Sequence, residues 1–176
     1  DCDNDSTSTR NYYLVLHRGS VDINKSIYFS LSAYERIKTS SVNVSISGTA
    51  SNKGNSSISM SGVNSSVISV NLTNDTKIPN KAIVTRISSS GTQSPSQGNV
   101  HHMIMPASNG NWYTSTVSSA SSGHYNIDID DGIPVKQKWS FKYNALATAK
   151  STMRNVKLTI EFQYDLHDTD YETYIR

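Results

Sequence analysis

One cysteine, three glutamates and no long apolar run set the first limits on this chain of 176 residues. A lone Cys2 forms no internal bridge, which excludes a disulfide-stapled scaffold. No apolar stretch approaches the roughly 18 residues of a membrane-spanning helix, so no transmembrane segment is expected. Four prolines and nine glycines are too few to mark a linker between domains. Charge is sparse at 17% of residues, and a net charge of +2 is too small for a nucleic-acid binder. Low charge together with ten tyrosines also argues against a solvated disordered chain. Glu35, Glu161 and Glu172 leave a thin supply of carboxylates for glycoside hydrolysis. There is no Gly-x-Ser-x-Gly elbow and no glycine-rich phosphate loop. No motif implies a cofactor, and the expectation is a protein that is not an enzyme.

The space left by these absences is filled by Ser, Thr and Asn, which make up 62 of the 176 residues. The bias is uneven. Residues 40–122 carry only Lys53, Asp75, Lys77, Lys81 and Arg86, while the other 25 charged residues lie in the flanks. The middle half therefore covers its solvent faces with hydroxyls and amides. Such faces suit strands and avoid repulsion. They also leave edges without the usual lysine and proline guards.

Strict alternation is the dominant pattern. Val156, Leu158, Ile160, Phe162, Tyr164 and Leu166 share one face, against Lys157, Thr159, Glu161, Gln163 and Asp165. Successive side chains of a strand point to opposite faces, so this is a half-buried strand. Trp139, Phe141, Tyr143 and Ala145 repeat the pattern against Lys138, Ser140, Lys142 and Asn144, which assigns Trp139 to the core. These two segments read as a hairpin, with one helical turn within the 146–154 connection. Further strands are expected at Tyr12–Leu16, Ile27–Leu31, Val42–Ile46, Ser57–Ser61, Ile68–Thr73, Ala82–Ile87, Val100–Met105, Trp112–Val117 and Tyr125–Ile129. Turn signals separate them at Ser47-Gly48, Asn52 to Gly54, Asn74-Asp75, Ser90-Gly91, Asn109-Gly110, Gly123 and Asp131-Gly132. One short helix is expected at Ser32–Lys38. The fold class is all-β, a single antiparallel β-sandwich of jelly-roll or Ig-like type with about ten short strands. Residues 1–10 read as a flexible N-terminal segment and 11–176 as the sandwich.

Cys2 lies in a polar start, Asp1 to Ser6. It is a candidate for an intermolecular disulfide, the alternatives being a processing accident or a lipidated terminus. The missing initiator Met and apolar leader fit a processed or trimmed chain. Asp1, Asp3 and Asp5 lack the glycine and closing glutamate of a calcium loop. Asn126, Asp128 and Asp130 align three oxygen donors on one strand face beside a turn, a weak metal candidate whose alternative is a plain polar face. The five histidines are His17, His101, His102, His124 and His167. None has helical zinc spacing, and His101 and His102 should point to opposite faces. Asn109, Asn111, Trp112 and Tyr113 combine a loop, two amides and two aromatics, the chemistry of a sugar platform or a partner contact. The competing reading is packing at a strand start.

Seven sequons, at Asn4, Asn24, Asn43, Asn55, Asn64, Asn71 and Asn74, exceed the roughly four that this composition gives by chance. The composition and fold class are similar to those of microbial surface subunits such as pilins and adhesins, a likeness that carries no residue across. The leading expectation is a secreted or cell-surface structural or adhesive domain, such as a fibre subunit. Its partners would be copies of itself, another surface protein or a glycan. Ser6 to Leu16 would be the strand to exchange. A pore-forming toxin is one alternative, because the charge-poor alternation over residues 42–73 resembles barrel hairpins, though its strands fall short of the roughly 9–11 residues needed to cross. A secreted carbohydrate-binding module or hydrolase is another.

Overall fold

The computed structural model describes residues 36–96, 100–116, 124–130 and 132–166, together with 15, 19–20, 24–26 and 28. The chain divides into two compact units, Asp1–Tyr34 and Glu35–Arg176, and every described strand belongs to the second. In order these are β1 (Ile37–Ile46), β2 (Ala50–Asn52), β3 (Val63–Asn64), β4 (Ile68–Asn71), β5 (Ile83–Ser94), β6 (Val100–Pro106), β7 (Tyr113–Thr114), β8 (Tyr125–Ile127), β9 (Lys138–Ala145) and β10 (Ser151–Asp165). No described residue is helical. The strands form two five-stranded antiparallel sheets, the all-β sandwich that the alternation implies. The first runs β1-β10-β5-β8, with β2 following β1 along the same side of β10. The second runs β3-β9-β6-β7, with β4 sharing that side of β9.

The two sheets meet through the alternating apolar faces. Strand β9 turns Trp139, Phe141, Tyr143 and Ala145 inward, and β10 opposes them with Met153, Val156, Leu158, Ile160 and Phe162; none is more than 1% exposed. Full burial of one such large apolar side chain contributes about 1.5–3 kcal/mol. Polar atoms that enter this layer find partners. Trp139 Nε1 donates to Val135 O at 3.0 Å. Tyr143 Oη and Ser151 Oγ share a bond at 2.9 Å, and Gln93 Nε2 donates to Ser151 Oγ at 3.3 Å. That chain ties β9 of one sheet to β10 and β5 of the other. Burial pushes the Tyr143 phenol above its ordinary value, against a smaller opposing effect of the Ser151 bond.

Several local expectations are corrected. The segments around Trp139 and Leu158 are not a hairpin: β9 and β10 lie in different sheets, and 146–150 crosses between them. Two amphipathic strands in sequence satisfy their apolar faces equally well by facing one another across a core. The helical turn within 146–154 is absent, and Ser151–Arg154 already belong to β10. Ile37 and Lys38, the end of the expected helix, open β1; residues 32–35 lie outside the described set. No strand forms over Ser57–Ser61. Ile58 adopts φ 53° and is 78% exposed, and Met60 is 98% exposed. There Asn55 takes over: its Oδ1 accepts from the Ser59 N–H at 2.8 Å while Nδ2 donates to Ser59 O at 2.8 Å and Leu146 O at 3.1 Å. A side chain that satisfies the backbone locally competes with a strand ladder. The strand expected at Trp112–Val117 shrinks to β7, and β8 ends at Ile127 rather than Ile129. The strands at Tyr12–Leu16 and Ile27–Leu31, the boundary at 10–11 and Cys2 fall outside the described residues, save for Val15 and Tyr28, both exposed.

The remaining correction explains the geometry of the first sheet. Ser90-Gly91 is not a turn but the middle of β5. Opposite it, Arg154 faces Thr92 and Lys157 faces Ser90, so β10 spends three steps where β5 spends two. This is a β-bulge, with Asn155 in the left-handed region at φ 52°, which Asn tolerates better than most residues. The extra residue turns both Met153 and Val156 inward, and they converge on Gly91. A Cβ there would sit 3.0 Å from Met153 Cγ and Sδ and 3.4 Å from Val156 Cγ2. Glycine within a strand commonly marks such an approach. Gly91→Val should therefore cost about 1–3 kcal/mol in denaturant unfolding, and adding Met153→Ala should recover part of that loss. Equal stability of Gly91→Val and wild type would show that the space is not limiting.

Candidate functional site

Residues 107–112 connect β6 to β7, and they close as a polar loop. The Gly110 N–H donates to Pro106 O at 3.1 Å and the Ser108 N–H to Gln137 Oε1 at 2.7 Å. The Asn109 side chain spans the loop: Oδ1 accepts from the Asn111 N–H at 3.0 Å, and Nδ2 donates to Tyr113 Oη at 2.8 Å. Tyr113 Oη in turn donates to Asp130 Oδ2 at 2.6 Å. That hydrogen bond is the largest cause raising the Tyr113 phenol above its ordinary value; desolvation and the carboxylate charge add to it, and the Asn109 and Asn111 bonds oppose it. Beside this brace, Lys142 Nζ stands 4.0 Å from the centroid of the Trp112 ring, a cation–π contact. Partial burial lowers the Lys142 ammonium from its usual range.

These contacts lie on two faces: Tyr113 pairs with Ile104, a fully buried inward position, and packs against the core while reaching Asp130 beyond β8, whereas Trp112 meets Lys142 of β9. Lys142 and Thr114 both pair with Met103 of β6, a row across the second sheet. The inward positions of that sheet are taken by residues such as His102, Ile104, Phe141 and Tyr143, so this row faces outward. Of the four residues expected at the loop, Asn109, Asn111 and Tyr113 are joined by hydrogen bonds, Tyr113 also packs against the core, which is the competing reading of packing at a strand start, and Trp112 lies against Lys142. Their roles differ from a simple platform, because Asn109 spends both ends of its amide on the loop itself. Sequence reasoning placed Asp130 among metal donors and did not single out Lys142. Lys142 was legible only as an outward position of an alternating strand, and its meeting with Trp112 depends on strand order.

The metal candidate does not assemble as a strand face. Asn126 lies in β8, but Asp128 and Asp130 lie beyond its end, and Asp130 is engaged by Tyr113. Among the described residues, no three His, Cys, Asp or Glu side chains cluster to hold a metal ion. Of the sequons, Asn43, Asn64, Asn71 and Asn74 are exposed, whereas Asn55 is 2% exposed with its amide bonded into the β2–β3 loop.

His101 and His102 do point to opposite faces. His101 is half-buried and its Nδ1 donates to Ser115 O at 3.0 Å. His102 is fully buried, stacked on Tyr125 at 3.7 Å between centroids and edge-on to Phe141 at 5.1 Å. Its Nδ1 shares a bond with Ser89 Oγ at 2.9 Å, joining β6 to β5, while Nε2 has no hydrogen-bond partner among the described residues. Burial lowers its pKa from 6.5 to about 3. His124 is exposed, and His17 and His167 lie outside the described residues.

No family model matches the chain. The chain is similar to the "Uncharacterized protein YbdN" of Bacillus subtilis (strain 168), with 49% identity over 159 residues, 90% of this chain. The chain spans about half the length of that relative, 55%.

The histidine generates a pH dependence with a definite sign. The folded state keeps His102 neutral down to about pH 3, whereas the unfolded chain takes up a proton near 6.5. Its share of stability is complete above that value and falls as the pH drops through the window between them, by about 1.4 kcal/mol per pH unit. Denaturant melts at pH 7, 5 and 4 should show this slope, and His102→Phe should flatten it. An equal slope in the variant would remove His102 as the cause.

Proposed function

We propose that this chain is a secreted or cell-surface structural or adhesive β-domain that works by contact with a glycan or a partner protein. The reading rests on the half-buried Trp112, an aromatic side chain set at the end of a braced loop on the outward face of the second sheet. Tyr113 is fixed between Asn109 and Asp130, and Trp112 is held against Lys142. Side chains already ordered cost less entropy on binding. An indole face stacks on the C–H face of a pyranose, and the adjacent ammonium favours a ring or peptide bearing a carboxylate. The charge-poor surface and the exposed Asn43, Asn64, Asn71 and Asn74 sequons support an extracellular setting.

One observation supports self-association as a second mode. Strand β1 pairs on one side with β10, and among the described residues no strand pairs with its other side. Ile37, Thr39, Ser40 and Ser41 are exposed there. Thr39, Ser41, Asn43 and Ser45 alternate with the inward residues, so from Thr39 onward the edge carries no charge to oppose a second copy.

Trp112→Ala should lower binding to a glycan array or to cells at least tenfold, with little change in melting temperature because the side chain is only half-buried. Unchanged binding would remove the reading. Ser40→Lys places a charge on the edge and should shift the size distribution in analytical ultracentrifugation towards monomer. Assemblies of wild-type size in that variant would exclude β1 as the contact.

A further inference from the structure

The β10 bulge does more than turn two apolar residues inward. Residues three apart in a regular strand point to opposite faces. With the extra residue, Arg154 and Lys157 both lie on the exposed side, opposite Thr92 and Ser90, which are two apart on β5. The Cα atoms of such positions are ~7 Å apart along a strand, so two cations stand side by side where alternation would have separated them. Neither has an ion-pair partner among the described residues. Glu161, farther along the same face, is bonded to Arg86.

These cations border a cleft of about 730 Å³. It opens where β10 passes from β1 to β2: Ile46 pairs with Val156 and Ala50 with Met153, and the turn between them spans the bulge. It is lined by Ser45, Ser47 and Thr49 from the end of β1 and the turn after it, and by Arg154, Asn155 and Lys157 from the neighbouring β10. Gly48, at φ 107°, keeps the turn free of a side chain.

We propose that this cleft binds an oxyanion, a phosphate or sulfate group carried either by a free ion or by an anionic polysaccharide. Two unpaired cations supply charge-assisted donors, and hydroxyl and amide groups complete the coordination. A bulge that re-aims side chains is a recurrent device beside binding sites. The site lies on the first sheet, away from Trp112, and goes beyond the contact surface proposed above.

The test is calorimetric titration of the full chain with inorganic phosphate, inorganic sulfate and a sulfated polysaccharide at 50 mM salt. Saturable binding of one of these probes is expected, with at least tenfold weakening in Arg154→Gln/Lys157→Gln and no change in Arg86→Gln, whose residue is already paired. Ser47→Glu, which leaves the bulge untouched, should also abolish binding and guards against a folding defect in the double variant. Polysaccharide binding at least tenfold tighter than either ion would identify the polymer as the source; equal affinities would identify the free ion. No binding of any probe, or wild-type affinity in both the double variant and Ser47→Glu, would overturn the proposal. Trp112→Ala should leave these titrations unchanged, so failure here and failure at the aromatic surface are read separately.

Discussion

The fold depends on one strand and one residue too many within it. Strand β10 is the hub of the first sheet, paired with β1 and β2 on one side and β5 on the other. Its inward face supplies five of the buried core side chains. The bulge at Asn155 lets two of these, Met153 and Val156, face the core although they are three apart. That arrangement demands a position without a side chain on the neighbouring strand, and Gly91 is that position. The same bulge marks where β1 gives way to β2. It also sets Arg154 and Lys157 on one face. Core packing, edge organisation and surface charge are consequences of a single register shift.

The large content of Ser, Thr and Asn has three distinct destinations. Some line solvent faces, as along β1, where Thr159 Oγ1 donates to Asn43 Oδ1 at 2.8 Å. Some brace loops, as Asn52, Asn55 and Asn109 do by bonding backbone groups that no strand satisfies. A few enter the interior: Ser89, Ser115 and Ser151 are buried and bonded across strands. Buried hydroxyls with partners specify register more than they add net stability, since each bond replaces one to water. The contact of Trp112 with Lys142 and the cation pair Arg154 and Lys157 lie on different sheets.

Much of this was legible one segment at a time. Alternation identified β9 and β10, assigned Trp139 to the core, and separated His101 from His102, because the side-chain period of a strand is a local property. The Asn109–Tyr113 loop was visible as a turn signal next to aromatics. Local signals misled where a side chain displaced the ladder, as Asn55 does at Ser57–Ser61, and where a glycine served packing rather than turning, as Gly91 does.

By itself, then, the sequence determined the class of fold, which side of each long strand is buried, and which loop gathers amides and aromatics. All of these follow from periodicity and turn chemistry within a few residues. Only the tertiary structure decided that β9 and β10 face each other across the core rather than pair, that Asp130 and Lys142 come to Tyr113 and Trp112, and that two cations share one face of β10. Each of these is a choice of partner between distant segments. An apolar face satisfies many partners about equally, so the choice is made by the packing of the whole chain.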